Sequence, residues 1–326
     1  MAPTPAFAPY SNSRTVRASA EMFSLQSSVR ELRREQCYAT TMSRASSSGD
    51  RRAFPNEMPL VSVIMPAYNV EQYIAEAIES ILTQSFGDFE LIIVNDGSSD
   101  GTQSIIEEFA RRDARIRSLS LQYNAGVQCA RNLAIAQARG SFLAMMDADD
   151  ISLPQRLEKQ VSFLQSHPTV GIVGGSVYFV NERKEPIAVR RYWTGDAAIR
   201  KRMFVFIPFC MGVCMIRKSV FERAGMFNEK YPVAEDYDLY FRLGTMTQFA
   251  NLNDVLYWCR LRPHSLSRER RGDMESLTVV LRQKYFQVYG ITILDRIYHL
   301  LHIFMLNFCP FKWKYRFLYL IRQGLC

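Results

Sequence analysis

No two of the seven cysteines form a CxxC pair, so no zinc ribbon is written here, and their odd number and scatter do not suit a disulfide framework. Cys210 and Cys214, four apart in an apolar stretch, read instead as small core residues. Reduced thiols without a secretion signal point to the cytosol. No segment supplies the ~20 mostly apolar residues of a clear spanning helix, and no internal repeat is visible. Charged residues are 22% and hydrophobic residues 48% of the 326, values ordinary for a folded domain that exclude collagen, a coiled coil or a wholly disordered chain. The charge is one-sided: a net +8 favours anionic surroundings such as membrane surfaces, nucleic acid or phosphorylated substrates, without choosing among them.

Residues 1–57 lack lysine and any sustained apolar period, and are rich in Ser, Arg, Ala and Pro. Such a segment buries too little apolar surface to offset its ordering entropy and is expected to be a disordered extension. Its Arg and Ser bias is that of a transit peptide, against which Glu21, Glu31 and Glu35 argue. A gene model extended upstream of Met58 is the other reading.

From Pro59 the pattern changes. Leu60 to Met65, Phe89 to Val94, Ile116 to Leu121 and Ser141 to Met146 are short apolar runs that read as buried strands. Between them, Tyr73–Leu82, Thr102–Ala110 and Val127–Ala138 carry apolar residues at helical spacing. The alternation predicts an α/β domain with a Rossmann-like parallel sheet covered on both faces. In such sheets ligands bind beyond the carboxyl ends of the strands. Three of these ends are polar: Pro66-Ala67-Tyr68-Asn69, Asn95-Asp96-Gly97 and Asp147-Ala148-Asp149-Asp150. They are expected to meet along one rim. After Asp150 the pattern is less regular: a helix opened by Pro154 and running to about Ser166, strands over 170–180, 211–216 and 255–261, and a helix over 235–243. This predicts an α+β half at 151–267, beside a nucleotide-binding half at 58–150 and a helical tail at 268–326.

Three aspartates in four positions repel one another, and a hard divalent ion offsets that repulsion. Mg²⁺ or Mn²⁺ held by Asp147 and Asp149 would be completed by substrate phosphate oxygens and would stabilise a departing diphosphate. The plainer alternative is a solvated loop with one aspartate capping a helix. Asp96 suits either a nucleobase imide or ordinary turn chemistry, and Asp100 reads as a helix cap. Tyr68 is placed to stack on a base. Arg131, one turn into a helix, reaches a phosphate or base, or is simply an exposed helix arginine. Glu235-Asp236 is either a pair of helix-start carboxylates or includes a base for an acceptor hydroxyl.

At these clusters the chain resembles the family 2 glycosyltransferases. The matching stretches are VSVIMPAYN at 61–69, FELIIVNDGSSDGT at 89–102, NAGVQCARNLAI at 124–135, GSFLAMMDADD at 140–150, GVCMIRKSVFERAGMFNE at 212–229 and AEDYDLYFRL at 234–243. The resemblance covers residues 60–267 and implies the GT-A fold with an α+β acceptor half. It implies that Pro66, Tyr68, Asp96 and Arg131 bind the donor, that Asp147 and Asp149 form the DxD pair, and that Asp149 is the more direct metal ligand. Asp236 would be the general base of an inverting displacement, with Glu235 and Asp150 beside it. His264, in the late Arg/His loop at 260–267, would face metal or phosphate. Asn95 departs from the acid common at that position, and no QxxRW signature or spanning helices follow, which argues against a processive polysaccharide synthase. The implied activity is transfer from a nucleotide-sugar, a UDP-sugar first, to a glycan or lipid-linked acceptor in surface-polysaccharide or glycolipid assembly. No nucleic-acid partner is implied.

Two readings from other classes stand beside this one. A sugar-phosphate nucleotidyltransferase would need a glycine-rich basic loop after the first strand, and Pro66-Ala67-Tyr68-Asn69 is not one. An inactive sugar-binding scaffold would not need both acid clusters. Residues 291–320 are aromatic and apolar, with basic residues near Lys312 and a break at Pro310. They suit an interfacial helix at the inner face of a membrane, or a helix packed on the domain.

Overall fold

A computed structural model describes residues 58–262, 265 and 269–308. The extension at 1–57, His264 and the end of the tail at 309–326 lie outside the described residues. Strand β1 (Val61–Ala67) is the centre of the first half, paired in parallel with β2 (Phe89–Asn95) and β4 (Phe142–Met145), while β3 (Ile116–Ser120) pairs with β2. Helices α1 (Ile74–Leu82), α2 (Thr102–Arg112) and α3 (Val127–Ala136) connect them. The apolar runs are uninterrupted because both faces of each strand are covered. Val63, Met65, Leu91 and Ile93 belong to one buried cluster, and Ile64, Ile92 and Val94 to another. Each such side chain contributes roughly 1.5–3 kcal/mol by leaving water. Pro66 is buried in β1 yet lies beyond the last pairing with β4, Ile64 against Met145, where a missing N–H leaves that ladder intact.

Beyond β4 the sheet is not parallel, and the sequence expectation is corrected there. Its order is β3-β2-β1-β4-β8-β6-β9-β5, with β7 attached to β6. Strand β5 is Ile151–Ser152, β6 is Val170–Val180, β7 is Pro186–Arg190, β8 is Met215–Arg217 and β9 is Gln248–Arg260. β8 runs antiparallel to both β4 and β6, so the sheet is mixed. The strand expected over 211–216 is instead a 3-10 turn, Met211–Val213, followed by β8 from Met215; the turn brings Gly212 so close to the Tyr257 hydroxyl and Asp147 that a Cβ would not fit. The expected last strand starts seven residues earlier than its apolar run, since Asn253 and Asp254 face water and hide the pattern. Helix α4 (Arg156–Ser166) begins two residues after Pro154, whose carbonyl accepts from the Ser85 N–H at 2.9 Å. Helices α5 (Asp196–Arg202), α6 (Lys218–Ala224) and α7 (Glu235–Gly244) complete this half.

The tail forms α8 (Arg271–Tyr289) and α9 (Ile293–Phe308). Leu277, Leu281 and Tyr285 of α8 join the buried cluster that contains Phe241 of α7, and the Tyr285 and Phe241 rings stack at 4.8 Å. Helix α8 thus packs on the domain; of the segment read as interfacial or packed, 291–320, α9 buries Tyr298, His299, His302 and Met305. No helix among the described residues is long and apolar enough to cross a membrane. Cys129, Cys210, Cys214 and Cys259 are free thiols, with Cys129 and Cys214 buried.

Candidate active site

The first three strand ends are laced together by side chains. Asn69, held at a left-handed φ of 48°, donates its N–H to Ser98 Oγ at 3.0 Å and accepts from the Ser99 N–H at 2.9 Å. Asp100 accepts from the Thr102 N–H at 3.1 Å, as a residue at a helix start should, and from the Glu71 N–H at 3.1 Å. Asn95, where the acid is replaced, closes its own turn: its Oδ1 accepts from the Ser98 N–H at 3.0 Å, and its amide donates to Gln103 at 2.7 Å.

Asp96 is buried, and its two oxygens accept from the Ala125 and Gly126 N–H groups at 2.7 and 2.9 Å. This carboxylate therefore fixes the loop that opens α3. Gly97 has φ +68°, and a Cβ there would fall 2.5 Å from the Tyr123 carbonyl carbon. Gly97→Ala should lower unfolding stability by about 1–3 kcal/mol, read from urea denaturation, because the neighbour that must give is backbone. Tyr123, whose backbone Gly97 meets, and Tyr68, just past β1, both carry large exposed rings. Tyr123 was not singled out from sequence; its exposure in a loop is the signal, and one sequence does not display it.

The acidic run is a tight turn between β4 and β5. The Asp150 N–H donates to the Asp147 carbonyl at 3.2 Å, and the Asp147 N–H donates to the Tyr257 hydroxyl at 3.0 Å. Each acid has its own cationic or polar partner. Asp147 pairs with Arg131 at 2.8 Å, Asp149 with Arg262 at 2.6 Å, and Asp150 accepts from the Arg260 N–H at 2.7 Å. Burial raises the Asp149 carboxyl above the ordinary range; Arg262 opposes this and the Asp147 charge adds to it. Asp150 is pushed higher still by burial and by both neighbouring acids.

Arg131, which the resemblance assigns to the donor, is buried rather than an exposed helix arginine, and it joins the two halves of the domain. Besides Asp147 it holds Glu235 at 2.9 Å, with its guanidinium near the Phe227 ring. Burial disfavours its charge, but Asp147 and Glu235 outweigh that and raise its pKa above that of a free arginine. Arg131→Met should cost about 3 kcal/mol or more in urea unfolding, because it strands carboxylates that lie against it.

Glu235 and Asp236 open α7. The residue before them, Ala234, is held at φ 58°, a conformation that costs an alanine roughly 1–2 kcal/mol. Asp236 accepts from the Tyr237 N–H at 2.7 Å. Burial, then repulsion from Glu235, pushes the Asp236 carboxyl up to about 7 against the pull of Arg131. Such a group is poised to take a proton near neutral pH. The loop at 260–267 was read from sequence as facing the diphosphate, and the fold brings its Arg260 and Arg262 to the acidic run; Tyr257, which meets the same run from a hundred or so residues away, was not picked out.

Among the described residues, no group of three or more His, Cys, Asp or Glu side chains is arranged to hold a metal ion by itself. The donor set nevertheless suits a hard divalent cation: Asp147 and Asp149 offer carboxylate oxygens, and the charge of Asp147 raises the Asp149 carboxyl. Two surface cavities of about 630 and 480 Å³ lie around Arg200, Gly244 and Thr245, and none of these acids lines them.

The model of Glycosyl transferase family 2 matches residues 62–225. An uncharacterized glycosyltransferase of Haemophilus influenzae is 35% identical over 218 residues, 64% of this chain and 68% of that protein. Among solved structures, TarS 1-349 of S. aureus in complex with UDP-GlcNAc is similar at a TM-score of 0.56 and 24% identity, over 68% of this chain and 66% of that one. A mannosyltransferase of Pyrobaculum calidifontis in complex with GDP-Man and Mn²⁺ is similar at 0.55 and 19% identity, over 89% and 81%. At these identities the two structures speak for the fold. With half of its length under the family model and a curated relative at 35% identity, the chain belongs to glycosyltransferase family 2, and its curled mixed sheet is the GT-A fold.

Proposed function

We propose that this glycosyltransferase is inverting and metal-assisted, moving a sugar from a nucleotide-sugar, a UDP-sugar first, to an acceptor hydroxyl in surface-polysaccharide or glycolipid assembly. The observation that carries this reading is Arg131. One buried guanidinium binds Asp147 on the donor side and Glu235 beside Asp236, so acids suited to opposite tasks share one ion-paired network.

Pro66, Tyr68 and Asp96 form the nucleobase side, with Asp96 also shaping the loop above it. Asp147 and Asp149 would hold Mg²⁺ or Mn²⁺ together with donor phosphate oxygens, and the bound ion would offset charge on the departing diphosphate. Asp150 braces the run through Arg260. The N–H groups of Arg131 not given to carboxylates are those left for a donor phosphate. Asp236 would take the acceptor proton as the acceptor oxygen attacks the anomeric carbon. The UDP-GlcNAc and GDP-Man complexes of the structural neighbours support a nucleotide-sugar, and the Mn²⁺ of the second supports the ion.

Incubating the protein with a panel of nucleotide-sugars and Mn²⁺ tests this reading. UDP-sugars are expected to give the largest thermal stabilisation and slow release of nucleoside diphosphate. Failure of every panel member in both measurements overturns it.

A further inference from the structure

Helix α9 buries one face and leaves the opposite, apolar one exposed. Its inner face carries the buried Tyr298, His299, His302 and Met305. Its outer face carries Ile293, Ile297 and Leu300, with Leu294 beside them, all between 47% and 76% exposed. The first three recur at helical spacing and form one stripe along the helix. Single exposed apolar residues are ordinary, whereas a continuous stripe of large ones marks a surface that something covers.

The charge around the stripe says what kind of surface covers it. The one acid of α9, Asp295, is taken up at the helix start, where it accepts from the Thr292 N–H and hydroxyl at 3.0 and 2.6 Å. Arg296 is exposed on the same helix. The sequence that follows α9, residues 309–326, contains Lys312, Lys314, Arg316 and Arg322 and no acid, and between 311 and 317 the basic residues alternate with Phe311, Trp313, Tyr315 and Phe317. Aromatic and basic residues adjoining an apolar helical face match the boundary of an anionic bilayer, where rings sit at headgroup depth and cations meet acidic lipid.

We propose that the outer face of α9 docks on an anionic lipid surface. The anchor is tied to the acceptor side of the domain. Arg282 of α8 donates to His302 Nδ1 of α9 at 3.0 Å and to the Tyr237 hydroxyl of α7 at 3.2 Å. Tyr237 follows Asp236, so a docked α9 holds the first turn of α7 at a fixed height above the lipid. The proposal does not depend on the assignment of the catalytic acids.

The test is co-sedimentation of the full chain with vesicles of phosphatidylcholine alone or mixed with phosphatidylglycerol. The wild type is expected to bind the mixed vesicles about tenfold more than the neutral ones, and less as salt rises. The double variant Ile297→Asp, Leu300→Asp should bind the mixed vesicles about tenfold less with unchanged thermal unfolding, both positions being exposed. A second variant, Leu300→Trp, keeps the face apolar and should shift its emission to the blue when mixed vesicles are added. Equal binding of wild type and double variant overturns the proposal, as does equal binding to both vesicle types. So does a wild-type dimer that the double variant dissolves without any vesicle binding, since the occupant would then be a second copy.

Discussion

Asp236→Asn is expected to lower kcat by about 10²–10⁴-fold, the usual worth of a positioned base, while nucleotide affinity changes less than about twofold. The substitution is nearly isosteric, and an amide oxygen can still accept from the Tyr237 N–H that the carboxylate now binds. What it removes is proton affinity at an atom raised to about 7 by burial and by Glu235. In the wild type, kcat/KM for the acceptor should rise about tenfold per pH unit up to about 7 and level off above it, because only the ionised carboxylate accepts a proton. Stability runs the other way. The folded pKa lies above the ordinary value of 3.8, so this residue's contribution is complete below that value and is lost as pH rises through about 7. Asp236→Asn should flatten this part of the stability profile. A variant with wild-type turnover would sink the base assignment.

The second large effect is expected at Asp149. Removing even a group that only orients a metal ligand typically costs about 10–100-fold in affinity. Asp149→Ala removes a proposed ligand itself, so Mn²⁺ titrated in the presence of UDP should bind at least about 100-fold more weakly, with transfer lost in step. Arg262 loses its ion-pair partner in this variant. Its chain is partly exposed and has room to turn to solvent, so folding should be disturbed less than by loss of Arg131. Equal turnover in wild type and Asp149→Ala would end the metal assignment.

How much of this was legible in sequence depended on how locally each feature is determined. β1 and β2 were readable because both faces are buried, which leaves uninterrupted apolar runs closed by Pro66 or by Asn95-Asp96-Gly97. The acidic run was readable because three aspartates in four positions need a compensating charge. What supplies that charge in the protein was not. Arg131 was marked for the donor, but its pairing was hidden because Glu235 lies 104 positions away, and only the fold brings the two together. β9 was misread at its start, where solvent-facing Asn253 and Asp254 interrupt the pattern, and β5 and β7 are too short or too exposed to carry one. The apolar and aromatic character of residues 291–320 was visible as composition, but which face of α9 is covered needed α8 in place.

The acidic run is anchored at both ends, by β4 before it and by β5, which pairs with β9 at Ile151 against Trp258. Mechanically it is a clamped bridge rather than a flap. Arg262, two residues past the end of β9, meets that bridge from across the rim. Exchange of that ion pair for substrate would leave the acidic run a fixed template and the Arg262 side chain the group that gives way.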